Sequence, residues 1–370
     1  MKSDWKEIPF ETAVKSRGSG TSGLAKSEWN LNGQFPVIGQ GAEDIEGWTD
    51  REDLLITPQP GVVLYGGHTR RAKHVSEPFV PGPNVKILFP APPLDSRFLF
   101  YFLTHLPIES KGYADHFPLV RKCNVPIPSL TEQRRIVGIL DEAFEGLATA
   151  KANAEQNLQN ARALFESHLQ AVFTQRGDGW RETPLGVICD FSQGIQVDVK
   201  LQSESKASDN QVRFLRIIDF TQGDEPERYI DNPGQKFLVC DFDVSLVRYG
   251  ASTGFVCRGL EGAIANNLFR VIPQKEHISN EFLYWFLKSP SFQDVIRTKM
   301  NGAAMPAISF GMISEITVPF PPQSGQPILV SKLESLCEET QRLESHYQRK
   351  LAALDELKKS LLHRAFSGQL

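Results

Sequence analysis

Val125-Pro126-Ile127-Pro128-Ser129-Leu130-Thr131-Glu132-Gln133-Arg134-Arg135-Ile136-Val137 opens a helix-favouring stretch that has no further proline and runs to Ala171-Val172-Phe173. Val318-Pro319-Phe320-Pro321 opens a second such stretch, which ends at Arg364-Ala365-Phe366. Both landmarks are displaced by 193 positions. Upstream, Ser96-Arg97-Phe98-Leu99-Phe100-Tyr101-Phe102-Leu103 matches Asn280-Glu281-Phe282-Leu283-Tyr284-Trp285-Phe286-Leu287, and Trp5-Lys6-Glu7-Ile8-Pro9 matches Trp180-Arg181-Glu182-Thr183-Pro184. The offsets there are 184 and 175, so the second half carries insertions. A repeat of this length divides the chain into two similar halves, each a globular part followed by a long helix. The expected segments are a globular part at 1–128, a helical spacer at 129–178, a globular part at 179–321 and a helical spacer at 322–370.

In the first spacer, Ser129-Leu130-Thr131-Glu132 supplies an N-cap and an acidic first turn. Apolar residues recur in steps of three and four at Leu140, Phe144, Leu147, Ala154, Leu158, Ala161, Phe165 and Val172, with Lys151 and His168 as polar interruptions. The second spacer keeps the spacing with Leu333, Leu336, Leu343, Tyr347, Leu351, Leu354 and Leu361. A seam averaging 3.5 residues is that of a coiled coil. Each rod would span about 65 Å at 1.5 Å per residue. An exposed seam of this length is costly, so the two spacers are expected to pair antiparallel. An ordinary helical-bundle core is the competing reading. Lys151 and His168 read as register devices or partly exposed positions. The fold class is therefore α+β (mixed α/β), two globular parts with an antiparallel coiled coil and internal pseudo-two-fold symmetry.

The length of 370 residues suffices for two domains with their own cores. Five scattered cysteines without a CxxC pair fit reduced thiols in the cytoplasm. The opening Met1-Lys2-Ser3-Asp4-Trp5-Lys6 is polar, and no 18-residue apolar run occurs, so neither a leader peptide nor a membrane span is expected. The net charge of −4 does not favour nucleic acid. Residues 1–128 carry 14 Lys+Arg against 14 Asp+Glu, and residues 179–321 carry 14 against 17. DNA binding by such a chain would need local cationic clusters, or partners that share the phosphate contacts.

In the first globular part, Gly61-Val62-Val63-Leu64-Tyr65-Gly66-Gly67 reads as a strand and glycine turn leading into His68-Thr69-Arg70-Arg71-Ala72-Lys73-His74. In the second, Asp243-Val244-Ser245-Leu246-Val247-Arg248-Tyr249-Gly250-Ala251-Ser252-Thr253-Gly254 has the same plan. Glycines after a strand allow close approach to another molecule, and Arg or Lys there can bind guanine or phosphate. Spacing alone leaves a solvated hairpin tip equally open. Arg213 and Arg216 lie on a strand pattern over 212–218, and Lys299-Met300-Asn301-Gly302 reads as a basic turn or a helix C-cap. Asn266-Asn267-Leu268-Phe269-Arg270-Val271 reads as a strand entering the core. The Phe98–Leu103 and Phe282–Leu287 runs read as buried helices. The sequence has no P-loop, no Asn/Asp-Pro-Pro-aromatic methyltransferase motif and no H-E-x-x-H pattern, and its eight histidines are scattered. It carries no catalytic residue or metal site that these patterns identify.

The segment from Val125 to Phe144, continuing through Ala152–Leu158 and Leu164–Gln170, resembles the conserved spacer of the specificity (S) subunit of type I restriction-modification enzymes. The Asn266–Arg270 strand, the Glu281–Leu287 helix and the ending His363-Arg364-Ala365-Phe366-Ser367-Gly368-Gln369-Leu370 extend the resemblance over essentially the whole chain. The second spacer departs from it with Ser324-Gly325-Gln326-Pro327-Ile328 in place of the Glu-Gln-Arg step. The resemblance implies two target-recognition domains, each reading half of a split DNA sequence, and a coiled coil that fixes the gap between the half-sites. It implies double-stranded DNA, two adenine-N6 methyltransferase subunits and a restriction/translocase subunit as partners. S-adenosylmethionine, ATP and magnesium would belong to those partners, with no cofactor in this chain. The candidate DNA contacts are His68, Thr69, Arg70, Arg71 and Lys73 in the first domain, and Arg213, Arg248, Ser252, Thr253 and Lys299 in the second. The candidate partner interface is an exposed patch of Glu132, Gln133, Arg134 and Arg135. The alternatives are a specificity subunit serving only methylation, an inactive one, a coiled-coil adaptor that binds no DNA, and a self-contained enzyme.

Overall fold

The computed structural model describes residues 5–18, 23–110, 112, 114–223, 225–300 and 307–370. Residues 1–4 of the polar opening and Asn301-Gly302 of the basic turn lie outside the described residues. The chain divides into two compact units, 1–155 with 349–370, and 156–348.

The first unit starts with β1 (Lys6–Pro9), α1 (Phe10–Ala13) and β2 (Val14–Gly18). It continues through β3 (Phe35–Ile38), β4 (Gly47–Thr49), β5 (Val62–Gly66), β6 (Ala72–Val75), β7 (Val80–Pro81) and β8 (Val85–Pro90). Then come α2 (Ser96–His105), α3 (Phe117–Val120), β9 (Asn124–Ile127) and the long helix α4 (Leu130–Thr174), whose residues from Gln156 onward belong to the second unit. Strands β2-β8-β5-β6 form one antiparallel sheet, β4-β3-β7 form another with β3 parallel to β7, and β1 pairs with β9. Strand β5 is buried along its whole length. That explains its unbroken apolar run, since a strand covered on both faces need not alternate.

The second unit follows the same plan. It contains β10 (Arg181–Pro184), α5 (Leu185–Ile188), β11 (Cys189–Gln193), β12 (Gln211–Leu215), α6 (Ile217–Thr221), β13 (Tyr229–Asp231), β14 (Leu238–Val239), β15 (Val244–Val247), β16 (Val256–Cys257), β17 (Gly262–Ile264) and β18 (Leu268–Pro273). It ends with α7 (Asn280–Lys288), α8 (Pro290–Met300), α9 (Phe310–Ser314), β19 (Thr317–Phe320) and the long helix α10 (Gln326–Phe366), whose residues from Arg349 onward belong to the first unit. The sheet β11-β18-β15-β16 repeats the order of β2-β8-β5-β6, and β12 runs parallel to β17 as β3 does to β7. The β10–β19 pair repeats β1–β9, and β14 is an addition to the second half. Strand β12 ends at Leu215. Arg216 leaves the expected strand and caps α6, its backbone N–H and guanidinium both donating to Asp219.

Helix α4 starts where the sequence indicates, with Ser129 Oγ accepting from the backbone N–H of Glu132 at 3.3 Å. In the first unit its opening turns bury Ile136 and Leu140 beside Leu362 and Ala365 from the end of α10. In the second unit Leu169 and Phe173 from the end of α4 pack with Val330 and Leu333 from the start of α10. The helices thus pair antiparallel within each unit. Ion pairs flank the seam, Lys151–Asp355 at 3.0 Å in the first unit and Arg162–Glu344 at 2.9 Å in the second. Lys151 is partly exposed, whereas His168 is a correction. It points to solvent, and Leu169, 2% exposed, takes the seam position. The reason is a step of four from Phe165 to Leu169 and again to Phe173, which shifts the apolar stripe round the helix as it meets the globular core.

That core repeats as an aromatic cluster. Trp5, Phe98, Phe102 and Phe366 meet in the first unit, with Phe98–Phe366 centroids 5.2 Å apart. Trp180, Phe282, Phe286 and Phe173 meet in the second, with Phe173 5.6 Å from Phe282 and 5.5 Å from Phe286. Each globular part is therefore closed by the C-terminal turn of the other half's long helix.

Candidate nucleic-acid interface

A hairpin loop recurs at the same place in the sheets of both halves. In the first unit Gly67–Arg71 joins β5 to β6. The Gly66 N–H donates to the Arg71 carbonyl at 2.9 Å, and the Arg70 N–H to the Gly66 carbonyl at 2.7 Å. Arg70 adopts a left-handed conformation at φ 59°, and its guanidinium donates to the Ile108 carbonyl at 2.7 Å. Thr69, Arg70 and Arg71 are exposed, and His68 is half-buried.

In the second unit the loop from Arg248 to Phe255 joins β15 to β16. Gly254 N–H donates to the Val247 carbonyl and Val247 N–H to the Phe255 carbonyl, both at 2.9 Å, and Thr253 Oγ1 donates to the Gly250 carbonyl at 2.6 Å. Gly250 and Gly254 sit at φ 102° and 90°, a region that side chains disfavour. Arg248 is held by its backbone, with its N–H donating to the Asn267 carbonyl and its carbonyl accepting from Ile308, both at 2.8 Å. Among the described residues no carboxylate pairs with Arg71 or Arg248, so both guanidiniums are available to an anionic partner.

The other candidate cations are placed differently. Lys73 lies in β6 with only 9% of its side chain exposed, and its ammonium donates to Glu46 Oε1 at 3.0 Å and to the Glu43 carbonyl at 2.5 Å. Arg213 lies on β12, in a different sheet from the β15 strand that leads into the Arg248 loop, and pairs with Glu227 at 3.0 Å and more loosely with Asp219 at 3.8 Å. Lys299, in the last turn of α8, is exposed and pairs with Glu315 at 3.3 Å. The structure therefore gathers His68, Thr69, Arg70 and Arg71 on one loop, and Arg248, Ser252 and Thr253 on another. Lys73, Arg213 and Lys299 are instead engaged by Glu46, Glu227 and Glu315, outside these sets.

Glu46 was not among the expected site residues. Its carboxylate also accepts from the Gly41 N–H at 2.7 Å, and a Cβ on Gly39 or Gly41 would come within 2.8 or 2.9 Å of it. The Gly39-Gln40-Gly41 spacing was the available signal, because two glycines two apart leave room for a buried side chain between them.

At the start of α4, Glu132 and Arg135 pair with each other at 2.7 Å, which holds the Glu132 carboxyl below its usual range. Arg135 also donates to the Leu370 carbonyl at 2.7 Å, and Arg134 is exposed. Gln133 corrects the expected exposed patch, for it is fully buried. Its Oε1 accepts from the Asp95 N–H at 2.7 Å, and its Nε2 donates to the carbonyls of Pro128 at 2.9 Å and Pro93 at 3.1 Å. Asp95 is the N-cap of α2, so Gln133 ties the long helix to the globular part. Gln326, 193 positions later, does the same. It accepts from Ser279, the N-cap of α7, at 3.0 Å, and donates to His277 at 2.7 Å and to Pro321 at 3.4 Å. The second spacer thus keeps the glutamine of the Glu-Gln-Arg step and loses only its charged neighbours. Gln133→Ala and Gln326→Ala are each expected to cost about 1–3 kcal/mol, because each leaves a buried N–H and two carbonyls without partners. Urea unfolding monitored in each half would measure this; a shift below about 0.5 kcal/mol for both would show the clamp to be dispensable.

Among the described residues there is no cluster of three metal-ligating side chains, and no helix is long and apolar enough to cross a membrane. Residues 232–353, which include the second hairpin loop, match the family described as type I restriction modification DNA specificity domain. The StySPI specificity subunit of Salmonella potsdam, a type I restriction enzyme subunit, is 24% identical over 67% of this chain and 58% of its own length. The chain thus spans under two thirds of that relative. The EcoDI specificity subunit of Escherichia coli is 21% identical over 99% of this chain and 89% of its own length. Among solved structures, the HsdS subunit of Thermoanaerobacter tengcongensis shares the fold at a TM-score of 0.59 and 17% identity, covering 100% of this chain and 98% of that one. A chain from a structure described as showing assembly and conformational transition of the type I R-M system reaches 0.73 at 17% identity, with 99% and 100% covered. Over residues 232–353 the chain is similar to the type I restriction modification DNA specificity domain, and along its length it resembles the specificity subunits of type I restriction enzymes.

Proposed function

We propose that this chain is the DNA-specificity subunit of a type I restriction-modification complex. The single observation that carries the reading is the matched pair of hairpin loops, β5–β6 and β15–β16, at the same place in two sheets of the same strand order, each with an unpaired arginine. The globular parts, 1–128 and 179–321, act as target-recognition domains for the two halves of a split site. The spacers, 129–178 and 322–370, set the gap between half-sites and dock two adenine-N6 methyltransferase subunits, through which the restriction/translocase subunit joins. S-adenosylmethionine, ATP and magnesium serve those partners, which act on cytoplasmic DNA. The target adenine leaves the duplex for a pocket in the methyltransferase.

In this reading His68, Thr69, Arg70 and Arg71 contact the first half-site, and Arg248, Ser252 and Thr253 the second. Lys73 and Arg213, engaged by carboxylates, position the strands around the loops, and Lys299 serves the phosphate backbone. Glu132, Arg134 and Arg135 face the methyltransferase. With a net charge of −4, the methyltransferases supply much of the phosphate neutralisation. The test is methylome sequencing of a host carrying this gene and a companion methyltransferase, compared with loss of this gene alone. A bipartite N6-methyladenine motif of fixed gap that disappears with the gene is the expected result. Its absence, with the methyltransferase still co-purifying, would overturn sequence recognition and leave an inactive specificity subunit.

A further inference from the structure

We propose that Tyr249 and Phe255 form an aromatic surface that packs against a base step of the second half-site. The second recognition loop would then read DNA largely by apolar contact, while the first reads it through histidine and arginine. This rests on the reading of the chain as a DNA-specificity subunit.

The two rings bracket the loop Gly250-Ala251-Ser252-Thr253-Gly254, and they are 36% and 42% exposed. Their exposure is built in. The loop backbone is fixed by the bonds of Val247, Thr253 and Gly254, by the Phe255 N–H donating to the Ser252 carbonyl at 2.9 Å, and by the bridge between Tyr249 and Ala307. Rings held out on a loop this constrained gain little from folding, whereas a partner surface would cover them. Charge identifies that partner. Arg248, which precedes Tyr249 in the chain, has no carboxylate partner among the described residues, so one loop carries both apolar rings and an available cation. A duplex meets both demands, with phosphates or guanine acceptors for the guanidinium and base faces or thymine methyls for the rings. The loop also lies inside the stretch that matches the DNA specificity domain. The equivalent first loop, Gly66-Gly67-His68-Thr69-Arg70-Arg71, has no Phe, Tyr or Trp, so the two halves differ in chemistry on a shared frame.

The test uses the full chain assembled with its methyltransferase and measures binding to the cognate duplex, to one with the first half-site scrambled and to one with the second scrambled. Tyr249→Ala with Phe255→Ala is expected to weaken cognate binding roughly 10- to 100-fold. It should also shrink discrimination at the second half-site while leaving discrimination at the first unchanged. Tyr249→Phe with Phe255→Tyr keeps both rings and is expected to behave as wild type. Unchanged cognate binding by the alanine pair, with an unaltered unfolding midpoint, overturns the proposal. So does loss of methyltransferase co-purification with half-site discrimination retained, which would assign the rings to the protein partner. A wild-type complex that discriminates neither half-site overturns the specificity reading itself, and this proposal with it.

Discussion

Replacing Glu46 with alanine is expected to destabilise the first unit by about 3–5 kcal/mol, because it leaves the Lys73 ammonium buried without its counter-charge. The pair is 3.0 Å apart with side chains 9% and 10% exposed, so water cannot substitute for the lost carboxylate. The Glu43 carbonyl remains as an acceptor for Lys73, but it carries no full charge. Glu46 also receives the Gly41 N–H, so the β3–β4 connection loses a second bond. A double variant, Glu46→Ala with Lys73→Met, is expected to recover most of the loss, since an apolar pair of similar volume is often as stable as a buried ion pair. Denaturant unfolding of wild type, both single variants and the double variant forms the cycle. Equal destabilisation by the double and single variants would mean that packing around Glu46 matters and the charge pair does not. Function should follow stability here. Lys73 is two residues past Arg71 on the strand that carries the first loop, so under the proposed function Glu46→Ala is expected to degrade first half-site discrimination before the second.

Much of the fold was legible because its signals are local and occur twice. The Val-Pro-x-Pro entries became β9 and β19, the apolar runs at Phe98 and Phe282 became α2 and α7, and the long spacers became α4 and α10. A turn-capping serine and a 3.5-residue seam act over a few residues, so sequence spacing captures them. What escaped depends on contacts between distant residues. Lys73 and Arg213 look like free cations in sequence, yet their partners Glu46 and Glu227 are 27 and 14 positions away. Gln133, between Glu132 and Arg134, looks like part of a charged patch. Only the approach of the α2 N-terminus shows that its amide faces inward. His168 falls one residue before the buried Leu169, because the apolar stripe moves round the helix where it meets the globular core as well as α10. The loops fared best as loops and worst as contact lists, since a glycine pattern fixes where the chain turns and not which side chain is already spoken for.

Phe173→Ala is expected to cost the second unit about 3–5 kcal/mol, the range for removing a fully buried aromatic ring. Phe173 is 2% exposed and meets Phe282 and Phe286 edge-on at 5.6 and 5.5 Å, so its loss leaves a cavity walled by two rings and two helices. The matching residue in the first unit, Phe366, is only partly buried, so it removes less apolar surface from water than Phe173 does. Phe366→Ala should therefore cost less, although its ring also meets two others, tilted against Phe98 and edge-on to Phe102. Trp180 packs 6.5 Å from Phe282, and Trp5 packs 6.3 Å from Phe98, so each unit has a tryptophan beside its own cluster. Versions of each variant that keep only the local tryptophan would report the unfolding midpoint of one cluster at a time. Equal losses for the two variants, or losses below about 1 kcal/mol, would mean that the long helices close the globular parts without these rings. The expected asymmetry has a functional side. If the helices set the gap between half-sites, the cluster at Phe173 is the joint that transmits that setting to the second recognition domain. Phe173→Ala should then blur the tolerated gap length in methylation assays before it abolishes recognition of either half.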